Sequence, residues 1–85
     1  MNPKSAKTIS DVMKILLAWE EELPANPRKG TKEYSFHDAL TRVIYALEVA
    51  ESELSDKAKL DKEARAEMDY LLPYYDAWVK EKNSK

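Results

Sequence analysis

Among the residue types that carry out covalent or metal chemistry, the chain has one histidine and no cysteine. His37 has Asp38 beside it and Glu33 four residues before it. A serine nucleophile is usually presented on a strained Gly-x-Ser-x-Gly turn, and the chain has a single glycine. Metal sites in helical bundles take Glu-x-x-His pairs from two helices, so one histidine is too few. Disulfides and thiolate metal sites need cysteine, and a phosphate-cradling loop needs several glycines. These residues argue against an enzyme, against a bound metal and against any cofactor.

The remaining chemistry is that of binding. Glu20, Glu21 and Glu22 form an acidic run at the end of a predicted helix, where the macrodipole disfavours negative charge. Local rule-breaking of this kind sometimes marks a functional surface, and the run reads either as a solvated charge run or as an acidic flank for a basic partner. Glu48, Glu51, Glu53 and Asp56 form a second acidic stretch. Were the two groups adjacent, they would imitate a row of phosphates and block a nucleic-acid-binding protein. The loop sequence PRKGTK carries Arg28, Lys29 and Lys32 around the glycine, and its backbone amides could approach a phosphate. Three charges in one loop are a small footprint, and no helix carries an aligned basic stripe. Nucleic acid is therefore the disfavoured partner, with Arg28, Lys29 and Lys32 as its contacts.

Aromatic residues give the sharper signal. At 100° per residue, Tyr45 and Val49 fall about 180° and 220° from Phe36, on the back of the second helix's apolar seam. On the third helix, Tyr70 and Tyr74 fall about 200° and 240° from Met68. Small polar Thr41 and Ser52 share the back of the second helix. Tyrosine is enriched at protein interfaces, and small neighbours permit close approach. A broad core flank is the competing reading, because a helix between two neighbours buries a wide arc and a half-buried tyrosine keeps its hydroxyl wet. The expected contact residues are Tyr45, Val49, Tyr70 and Tyr74, flanked by Glu20, Glu21 and Glu22.

Three helices position these residues. Thr8 caps a helix over about 9–23, with Ile9, Val12, Met13, Leu16, Trp19 and Leu23 on one face and Ile15 and Leu17 widening it. Leu23-Pro24 ends it, and residues 24–35 form a loop. Ser35 and Asp38 suggest a capping box for a second helix over about 36–54, on which Phe36, Leu40, Val43, Leu47, Ala50 and Leu54 form a narrow seam. The apolar phase breaks at Ser55-Asp56, and Ser55 is the expected next cap. The third helix, about 56–81, keeps Leu60, Ala64, Met68, Leu71, Leu72, Tyr75, Trp78 and Val79 in one phase past Pro73. Pro73 lies opposite that stripe, where a kink is tolerated. The alternative is a break there with Pro73 opening a fourth helix. Short connections make neighbours antiparallel, giving an all-α, up-down-up three-helix bundle.

An 85-residue chain forms one domain, residues 1–85, with ends expected to be flexible over 1–7 and 82–85. With 44% hydrophobic and 35% charged residues it is too apolar for disorder. Fourteen basic against sixteen acidic residues leave a net charge of −2, which gives no pull toward nucleic acid or anionic lipid. No apolar stretch approaches the ~20 residues a membrane span needs, and the first ten residues lack a signal-like apolar core. Together with the absence of cysteine, this points to the cytoplasm. The expected function is a small helical protein that binds another protein, as an inhibitor, adaptor or regulatory subunit of bacterial or phage origin. A homodimer or larger homo-oligomer is the first alternative.

Overall fold

Three helices form along the chain of the computed structural model, which describes residues 2–84: α1 (Ile9–Glu22), α2 (Lys32–Glu53) and α3 (Lys57–Asn83). No strand occurs among the described residues. The particle measures 44 × 23 × 18 Å. A helix of α3's length rises about 40 Å, so α3 spans nearly the whole long dimension and acts as the spine.

Contacts at the helix ends fix the topology. The Ile9 amide, at the start of α1, donates to Asp61 near the start of α3 at 2.9 Å. The Lys32 and Glu33 amides, at the start of α2, donate to Glu81 near the end of α3 at 3.1 and 3.3 Å. Therefore α1 runs parallel to α3 and α2 runs antiparallel to both, the expected up-down-up bundle. The first four amides of a helix have no partner within it. Here α3 supplies a carboxylate to that orphan end of each of the other helices.

Val12, Leu16, Phe36, Leu40, Leu47, Met68 and Leu71 are sealed from solvent in one core. Burial at α2 is wider than a single seam, since Ala39 and Ile44 are buried beside Phe36, Leu40, Val43 and Leu47, while Ala50 and Leu54 are half-buried. The reason is geometric: α2 faces α1 on one flank and α3 on the other. Aromatic rings gather at one end of the bundle. Trp19 stacks on Tyr75 with centroids 4.3 Å apart, Phe36 lies 5.1 Å from Trp78, and Phe36 meets Trp19 edge-on at 5.4 Å. Such pairs add about 0.5–1.5 kcal/mol beyond their buried area.

Several sequence expectations are corrected. α2 starts a turn earlier than Phe36: Thr31, not Ser35, is its cap, and the Thr31 hydroxyl accepts from the Tyr34 amide at 3.1 Å. Glu81, contributed from α3, satisfies two further amides there, and no local sequence pattern encodes that. Glu33 therefore lies inside the first turn. Asp38, expected in a capping box, instead pairs with Arg42 at 3.4 Å on the exposed surface. Asp56 rather than Ser55 caps α3. α3 continues unbroken through Pro73 and on to Asn83. Both Pro73 and Asp69, whose carbonyl loses its helical partner to the proline ring, are exposed, so solvent can serve that carbonyl. Leu17 does not widen the buried face of α1; it is 46% exposed.

The expectation of loose ends also changes at the N-terminus. The Arg65 guanidinium donates to the carbonyls of Pro3 and Ala6 at 3.0 and 2.6 Å and pairs with Asp69 at 2.6 Å. Ala6 is fully buried. Residues 3–6 thus lie along α3, and Met1 and Lys85 fall outside the described residues.

Candidate protein-contact face

Tyr45 is 71% exposed and Tyr70 50% exposed, the two most exposed aromatic side chains. Helical geometry explains this: both point away from the core stripes that hold Phe36 and Met68. Val49 is half-buried. Tyr74 is half-buried and packs against the core, while its ring stays 5.5 Å from that of Tyr70. The four residues expected to form a contact surface thus divide into two that are exposed, Tyr45 and Tyr70, and two that are half-buried, Val49 and Tyr74. Tyr70 and Tyr74 neighbour each other on α3, and Arg42 of α2 acts on Tyr70 across the α2–α3 boundary. A shallow groove of about 250 Å³ runs there, lined by Lys32 and Ser35 of α2 and by Pro73, Tyr74 and Ala77 of α3.

The local electrostatics follow from the same neighbours. Hydrogen bonding with the Tyr74 hydroxyl, and then repulsion from that group once ionised, push the Tyr70 hydroxyl above the usual tyrosine range. Arg42, reaching across from α2, opposes the rise, and Glu67 adds to it. Glu67 is itself pushed above the usual carboxylate range, first by partial burial and second by Glu63 one turn away. The face is therefore one of mixed charge around an aromatic pair.

The other candidates are placed apart from it. Glu20, Glu21 and Glu22 are exposed at the end of α1, next to the aromatic end of the bundle. Glu51, Glu53 and Asp56 are exposed at the opposite end, so the continuous acidic row that phosphate mimicry required does not form. The Glu20–Glu22 run keeps its unfavourable position, since neither α1 nor α2 has a basic residue in its last turn. Arg28, Lys29 and Lys32 are exposed. Arg28 borders a small depression together with Glu33, Glu81 and Lys82, so carboxylates interrupt the basic loop. Lys82 is drawn over the Trp78 ring, 4.2 Å from its centroid.

His37 is half-buried at a surface depression shared with Pro27, Lys29, Tyr34 and Thr41. Glu33, the residue one turn before it, accepts from the Trp78 indole nitrogen at 3.2 Å. That bond ties Glu33 to Trp78 of α3 rather than to His37. Among the described residues no three His, Cys, Asp or Glu side chains gather where they could hold a metal ion. None of the described helices is long and apolar enough to cross a membrane.

Sequence reasoning missed a second stripe on α3. Ala66, Tyr70, Pro73 and Ala77 follow spacings of four, three and four, which places them between about 140° and 200° from Met68. Three are exposed and Ala77 is half-buried. The signal was present in the sequence as a heptad-like repeat, hidden because small residues and a proline register weakly as apolar. The chain matches no family model, no curated protein and no solved structure in the comparisons made.

Proposed function

We propose that this chain is a non-enzymatic protein-binding protein of the inhibitor, adaptor or regulatory-subunit kind. Its contact surface is the outer face of α2 and α3. The observation that carries this reading is the exposure of Tyr45 and Tyr70 beside half-buried Val49 and Tyr74. An aromatic group of this size on a small bundle costs solubility, and its natural use is to be covered. Arg42 and Glu67 at the rim would orient a partner more than strengthen its binding. Glu20, Glu21 and Glu22 would attract a basic partner from the end of the bundle, and the cytoplasm is the compartment the composition favours.

The test is affinity capture from the source lysate with three baits: the wild-type chain, Tyr45→Glu and a charge-neutralised Glu20–Glu22 variant. One protein should be retained by wild type and lost with Tyr45→Glu. The acidic-run variant should retain it more weakly at low salt and equally at high salt. Identical recoveries from wild type and Tyr45→Glu would refute the proposed surface.

A further inference from the structure

The seam on the outside of α3 is symmetric about its own midpoint. Ala66 and Ala77 lie at equal distances either side of a midpoint between Leu71 and Leu72, as do Tyr70 and Pro73. Continuing outward along the same stripe, Glu63 and Lys80 are again equidistant from that midpoint, and both are exposed. In two antiparallel helices related by a twofold axis, residues equidistant from the axis meet across it. The stripe is therefore complementary to itself: small meets small, ring meets ring, and acid meets base.

We propose that a second copy of this chain packs on this face, α3 against α3, antiparallel, with the twofold axis at the level of Leu71 and Leu72. This rests on the reading that the outer face is a contact surface, and it names the partner of its α3 half. Tyr70 would lie on the partner's Pro73, and Ala66 would lie opposite the partner's Ala77. The small side chains let the helix backbones approach closely. Glu63 would face the partner's Lys80 at each end of the apolar stretch, and this fixes both the direction and the register. A like-charged approach is created on one flank of the stripe, where Asp69 and the partner's Asp76 are two residues out of level. It is softened because Asp69 already holds the Arg65 guanidinium at 2.6 Å. The apolar stretch is only about three turns long, so the dimer belongs with the small, reversible interfaces below about 1,200 Å². Tyr45 and Val49 on α2 lie outside this seam and stay free for a different protein.

The register gives a test that a merely structural role would not pass. Glu63→Lys leaves two lysines facing each other at both ends of the pair, and Lys80→Glu leaves two glutamates. Each variant alone should dimerise about tenfold more weakly than wild type in sedimentation equilibrium. An equimolar mixture of the two should recover wild-type association, because each acid again meets a base on the other chain. Tyr70→Glu should abolish association at every concentration. Circular dichroism melts on the same samples confirm that these exposed substitutions leave the bundle folded. A wild-type chain that stays monomeric at high concentration overturns the proposal, and so does a mixture that associates no better than its components. Neither result touches the capture experiment with Tyr45→Glu, so the two readings fail separately.

Discussion

At the scale of single residues, Tyr70 and Tyr74 show how much an exposed position still depends on its neighbours. Removing the Tyr74 hydroxyl removes both of the largest influences on Tyr70. Tyr74→Phe should therefore return Tyr70 toward the ordinary tyrosine range, read as tyrosinate absorbance in an alkaline titration. An unchanged titration would mean that the two hydroxyls do not interact. Glu67 gives a prediction of opposite kind. Its raised pKa means the folded state holds the proton more tightly than the unfolded chain. Its contribution to stability is thus full below about 4.5 and is lost as pH rises through the raised value. Glu67→Gln should melt higher than wild type at neutral pH, with the difference vanishing in acid. Equal melting temperatures at neutral pH would contradict this. The off-stripe positions of these tyrosines were legible from helical angles alone. Tyr74's contact with the core was not, because the helical wheel fixes direction but not how far a neighbouring helix reaches round.

At the scale of elements, the helices were legible and their beginnings were not. Periodicity located α1, α2 and α3, and it carried α3 through Pro73 because the proline fell on the solvent side. The start of α2 was misread, since Glu81 caps it from a residue 49 positions away in sequence. Such a cap is tertiary, and no window of neighbouring residues contains it. Glu81→Ala should strip two amides of their acceptor at once. A cap loss of about 1 kcal/mol corresponds to a fall of about 4–8 °C in melting temperature for a domain of this size. Thr31→Ala should cost a similar amount, and the double variant should cost less than the sum if the two caps serve one turn. Gly30 supplies the other constraint at this junction. Its φ of 88° lies in the left-handed region, inside a turn closed by the Thr31 amide donating to Arg28 at 3.4 Å. Nothing lies within 4 Å of where a Cβ would sit. Gly30→Ala should therefore destabilise by backbone strain alone, about 1–2 kcal/mol, readable by urea unfolding.

At the scale of the whole molecule, a small core is split between an aliphatic end and an aromatic end, and α3 ties both ends together through Asp61 and Glu81. Phe36 is fully buried and touches three aromatic rings. Phe36→Ala should cost about 3–5 kcal/mol, a large share of the 5–15 kcal/mol that typically holds a domain together, and a thermal melt should show it partly unfolded at 37 °C. The composition and the seams were enough to read the bundle, because each apolar stripe must find a neighbour to cover it. They were not enough to read a partner. A contact surface on one chain records only half of a complementary pair, and only where the surface is complementary to itself does the sequence contain both halves.

The most direct test follows the fluorescently labelled chain by sedimentation velocity in dilute buffer and in source lysate, alongside a Tyr45→Glu/Tyr70→Glu variant. The wild-type chain should sediment faster than its monomer mass allows in lysate, and the variant should sediment as a monomer throughout. A wild-type chain that stays monomeric in both media, or a variant that matches it in the faster boundary, would contradict a protein-contact role for the outer face of α2 and α3.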